Sequence, residues 1–189
     1  MRLLNALILC GSLFWGSTSA SIAFQGKTNN NLDVRIGMPT PKNLLDMKDH
    51  SVDLWIKSRQ SNIQVFRYVN EVAELRAYLF VCKRHDLNLK MSRLAQLASR
   101  YLQAVVPAQY DEPELQLLET FTKPEQQAFL EDMAEDIYAF EFGMRVAMQD
   151  QRISDSGKTK KSFCDTIENE YFRAYVALLA TANRELAEE

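Results

Sequence analysis

Histidine is nearly missing from this 189-residue chain: only His50 and His85 occur. That scarcity removes most enzymatic designs, because a serine or cysteine nucleophile needs a positioned base, most often an imidazole. No Gly-x-Ser-x-Gly elbow, His-Glu-x-x-His or Glu-x-x-His occurs either. These absences exclude the recognisable hydrolase, zinc-protease and carboxylate-bridged metal patterns. Glycine is scarce, with 6 residues, and no phosphate-binding loop is formed. Gly157-Lys158-Thr159 has Arg152 where that loop requires its first glycine, and Gly26-Lys27-Thr28 has Ser21 there. No asparagine is followed two residues later by serine or threonine, so the chain offers no N-glycosylation acceptor. It favours a bacterial envelope over a eukaryotic secretory route.

Long apolar runs are also lacking, with one short exception at the start. Met1-Arg2 is followed by an apolar stretch from Leu3 to Trp15 and then by Gly16-Ser17-Thr18-Ser19-Ala20. A positive charge, an apolar core and small residues form the three-part export pattern, so residues 1–20 are expected to be a signal peptide cut after Ala20. The stretch is shorter than the ~20 residues of a membrane span, so no span is expected after cleavage. The rival reading is a lipid anchor on Cys10, but Leu9 would then stand where lipoprotein cleavage wants a small residue.

Removing residues 1–20 takes away Arg2 and leaves 21 basic against 25 acidic residues, a mature charge of −4. Such a balance argues against nucleic acid, which requires a concentrated positive field. Cleavage also turns three cysteines into two, Cys82 and Cys164. In an oxidising compartment the simplest state of an even pair is one disulfide, the alternative being two buried thiols. Cys82-Lys83-Arg84-His85 also has a metal-sharing spacing, but no Cys-x-x-Cys accompanies it. No cofactor and no metal are expected.

What is present is helical periodicity. Residues 21–41, with Asn29-Asn30-Asn31, Gly37, Pro39 and Pro41, read as a flexible leader. Residues 42–189 read as an all-α domain, an antiparallel bundle of four to five helices. Ser51 is the expected cap of a first helix, interrupted at Ser58–Asn62, and a second part ends near Cys82. Asp86 or Asn88 should cap the next helix, which Pro107 ends. Asp111-x-x-Glu114 and Thr122-x-x-Glu125 are capping-box signatures for a short and a long helix. The long helix should bury Phe129, Leu130, Met133, Ile137, Phe140, Met144 and Met148. A polar loop is expected over 152–162, and a last helix should bury Phe163, Ile167, Tyr171, Ala174, Leu178 and Ala182.

Glu131, Asp132, Glu135, Asp136 and Glu141 crowd the long helix. Glycosidase carboxylates must face each other across a cleft, whereas these lie side by side on one helix. The first four are expected to form a solvated acidic face able to meet a basic partner. Phe140, Phe142, Tyr171, Phe172 and Tyr175 give two helices apolar residues on more than one side, as expected where a partner or a second copy covers one face. The sequence therefore predicts a non-enzymatic periplasmic or secreted protein acting through protein–protein contacts. An accessory component of a bacterial secretion, conjugation or pilus apparatus fits that description. The alternatives are a periplasmic chaperone or small-ligand-binding module, and a hydrolase of unrecognised type using His50 or His85.

Overall fold

A computed structural model describes residues 41–84 and 89–187. The expected signal peptide, leader residues 21–40, Cys10 and His85 lie outside the described residues. Those described form six α-helices and no strand: α1 Pro41–Lys57, α2 Ile63–Val81, α3 Met91–Val105, α4 Glu112–Glu119, α5 Lys123–Asp155 and α6 Lys160–Glu185. The all-helical class follows the sequence; the helix number exceeds the four to five expected, because the polar break at 58–62 separates two full helices. A short 3-10 helix, Pro107–Gln109, follows α3, where the proline stops the regular hydrogen-bond ladder.

The helix starts are set by local chemistry. Asp111 Oδ1 accepts the Glu114 N–H at 3.1 Å, and Glu114 Oε2 accepts the Asp111 N–H at 2.9 Å, a complete capping box opening α4. Glu125 Oε2 reaches back to the Thr122 N–H at 2.8 Å to open α5, and Thr159 Oγ1 accepts from the Ser162 N–H at 3.3 Å to open α6. The α5–α6 turn is much shorter than the expected loop: Arg152 is still helical, and Gly157, at φ +63°, turns the chain. One expected cap is corrected. Ser51 lies inside α1, fully buried, its hydroxyl donating to the Met47 carbonyl at 2.7 Å. Lys90 precedes the first turn of α3, and the expected caps Asp86 and Asn88 lie outside the described residues.

One hydrophobic core joins the helices. α2 and α5 share the largest interface, and α2, α3 and α6 pack on one another beside it. Val69, Val72 and Leu75 of α2 meet Leu94, Leu97 and Leu102 of α3, Met133 and Ile137 of α5, and Leu178 and Ala182 of α6. Helix α1 lies principally against α5 and contributes Met47, Leu54 and Trp55. No helix among the described residues is long and apolar enough to cross a membrane.

The end of α2 carries a testable local cost. Lys83 adopts φ 53°, with its N–H on the Phe80 carbonyl and the Arg84 N–H on the Leu79 carbonyl, the two bonds of a Schellman cap. A left-handed residue bearing a Cβ is disfavoured, and glycine is not. Lys83→Gly is expected to raise the unfolding free energy by about 0.5–1 kcal/mol, read by urea denaturation of the two chains.

Candidate functional site

The α2 cap places Cys82 beside the first turns of α6. Cys82 and Cys164 stand at disulfide distance, with Cα atoms 5.8 Å apart and 82 residues between them in sequence. The pair brings together the end of α2 and the beginning of α6. Around it lies an open groove of about 690 Å³. Four cations, Lys83, Arg84, Lys160 and Lys161, line the groove against two carboxylates, Asp165 and Glu168. Arg84 is ion-paired with Glu168, and Lys161 Nζ lies 3.3 Å from Asp165.

One turn below, α2, α5 and α6 are tied by a polar node. The Tyr78 and Tyr171 rings stack with centroids 4.4 Å apart and planes 4° from parallel. The Tyr171 hydroxyl donates to Glu74 at 2.9 Å and accepts from Gln149, while Arg152 Nη1 lies 3.2 Å from Glu74. Burial, reinforced by the Glu74 carboxylate, pushes the Tyr171 phenol well above its usual range and keeps it a donor.

Polar contacts punctuate the seam where α1 and the residues just after it pack on α5. The Trp55 indole N–H donates to Glu141 Oε1 at 2.8 Å, and Arg59 Nη2 lies 3.5 Å from the same oxygen. Arg145 Nη2 stands 4.0 Å from Glu141 Oε2. The Arg59 guanidinium also covers the Phe66 ring at 4.8 Å, and Phe66 contacts Trp55. Further along, the Tyr110 hydroxyl and Ser51 Oγ share a hydrogen bond at 2.8 Å, and the Tyr110 hydroxyl lies 3.2 Å from Met133 Sδ. Burial pushes the Tyr110 phenol up to about 12. His50 Nδ1 contacts Glu114, so this histidine is engaged at the edge of the seam.

Glu141 therefore does not belong to the outer acidic face: its relative exposure is 0%. Met144 and Met148 do not continue the buried stripe, being 38% and 48% exposed, and Glu141 and Gln149 take that face instead. Both polar residues are accommodated by partners from distant segments, Trp55 with Arg59 and Tyr171 respectively. Glu141 falls at helical spacing, four and seven residues, from the buried Ile137 and Ala134.

Glu131, Asp132, Glu135 and Asp136 are all exposed on α5. Two of them have a cationic partner among the described residues: Lys48 of α1 pairs with Asp132 and lies 3.3 Å from Asp136. This leaves Glu131 and Glu135 as the outward part of the acidic surface, with Gln127 donating to Glu131 at 2.8 Å.

Large apolar side chains also face outward. Phe172 and Val176 stand one turn apart on α6, each 52% exposed, and Phe80 at the end of α2 is 60% exposed. Phe80 meets Phe142 edge-on, and Arg76 covers Phe142 at 5.1 Å. Among the described residues no group of three His, Cys, Asp or Glu side chains is arranged to hold a metal ion. The arrangement is suited to contact, through apolar and charged surfaces, and to thiol chemistry at the cross-link. Compared with known protein families, curated proteins and solved structures, the chain shows no match.

Proposed function

We propose that the protein is an exported helical adaptor of the bacterial envelope, periplasmic or secreted, that works by protein–protein contact. Residues 1–20 are then the cleaved signal, residues 21–40 a flexible tether, and the helices an antiparallel bundle stapled by Cys82 and Cys164. An accessory role in a secretion, conjugation or pilus apparatus is the setting that suits such a module. The observation that carries the reading is the apolar pair on α6: Phe172 and Val176, each about half exposed, on adjacent turns of one helix face. Leaving two large apolar side chains in water is unfavourable unless a second surface covers them.

The test is purification of the tagged full-length chain from envelope extract, beside the Phe172→Asp/Val176→Asp variant. The native chain is expected to run as a homo-oligomer or with a stoichiometric partner, and the variant to lose that association. Because both positions are exposed, the variant's stability should stay within about 0.5 kcal/mol of the native chain. A strictly monomeric native protein with no partner overturns the proposal. Its intact mass checks export: the chain should begin at Ser21.

A further inference from the structure

The structure assigns a second property to the Cys82–Cys164 cross-link: it is a thiol-exchange site selective for small anionic thiols, with Cys82 the sulfur attacked. The two cysteines differ in access. Cys82 is partly exposed on the cap of α2, whereas Cys164 is 3% exposed and packed in the core. Exchange requires an incoming thiolate to approach one sulfur along the bond axis, so access selects Cys82. The groove that gives this access is sized for a peptide-like small molecule.

Charge selects the thiol. Of the four cations in the groove, Arg84 and Lys161 are paired with Glu168 and Asp165. Lys83 and Lys160 have no carboxylate partner among the described residues, leaving the groove two positive charges in excess. Such a concave, basic surface concentrates anions and raises their encounter rate. The same cations lower the free energy of the thiolate expelled from Cys164.

The chemistry balances with two molecules of one thiol. The first thiolate attacks Cys82 Sγ; a sulfur–sulfur bond forms between them and the Cys82–Cys164 bond breaks, the electron pair leaving on Cys164 as a thiolate. A second thiolate then attacks the small-molecule sulfur of the mixed disulfide, releasing the oxidised small disulfide and the Cys82 thiolate. Two electrons pass from the two thiols to the protein. The property does not depend on the adaptor reading and goes beyond it.

The experiment follows the native full-length chain with glutathione, net negative, and with cysteamine, net positive, at matched thiolate concentration. Glutathione is expected to react about tenfold faster at low ionic strength. The ratio should fall toward one at about 0.5 M salt, where charges are screened within a few ångströms. Trapped mixed disulfide should map to Cys82 by peptide mass. In the Lys83→Gln/Lys160→Gln variant, whose circular dichroism controls for folding, the glutathione preference should be lost. Absence of exchange overturns the assignment. So does a native ratio near one, a mixed disulfide on Cys164, or a preference that persists in the double variant.

Discussion

Glu141→Ala is expected to destabilise the protein by about 2–4 kcal/mol. The carboxylate is fully buried and receives the Trp55 N–H at 2.8 Å, with Arg59 and Arg145 on either side. Removing it leaves an indole donor and two guanidiniums facing an apolar methyl. Stranding buried partners costs more than the intact cluster contributes. The figure sits below the usual range for a fully buried pair because the Arg59 side chain is 36% exposed and part of its charge returns to water. Glu141→Gln keeps an acceptor for Trp55 and should lose about half as much. Replacing Glu141, Arg59 and Arg145 together with apolar residues should recover part of the loss, since no charge is then left unpaired. Urea denaturation of the four proteins measures all of this. A loss below about 1 kcal/mol for Glu141→Ala would sink the account.

The second large effect is removal of the cross-link. Cys82 and Cys164 close a loop spanning 82 residues, and in the chain-entropy account a loop of that size stabilises by about 4–5 kcal/mol. A Cys82→Ala/Cys164→Ala chain is expected to melt roughly 10–15 °C lower at this chain length. The native chain under strong reductant should follow it. Under non-reducing conditions the native mass should lie two hydrogens below the reduced form. Two titratable free thiols in the untreated protein would refute the cross-link.

Much of the fold was legible because apolar spacing and helix-start chemistry are local. Asp111 with Glu114, and Thr122 with Glu125, set helix starts within four residues, and the α6 stripe was readable from Phe163, Tyr171, Leu178 and Ala182. The misreadings along the buried face of α5 have one physical origin. Whether a polar residue is buried depends on partners brought by other helices, which periodicity along one helix does not contain. Met144 and Met148 look like core and Glu141 and Gln149 like surface until Trp55, Arg59 and Tyr171 arrive from distant segments. Ser51 misled differently: a serine before an apolar run resembles a cap, but its hydroxyl is satisfied by the Met47 carbonyl one turn back. The acidic face was visible as a charge pattern, while its contact with Lys48 depends on how α1 lies on α5.

The cross-link also fixes how the molecule bears tension. Force applied between the two ends of the chain passes through α1 and α2, crosses from Cys82 to Cys164 through the sulfur bridge, and leaves through α6. The segment between them, with α3, α4 and α5, lies off the load path. At about 3.3–3.6 Å per extended residue, the bridge withholds some 270–300 Å of contour length from stretching. A protein built this way behaves under pull as a short, stiff link, and reduction converts it into a long, extensible one.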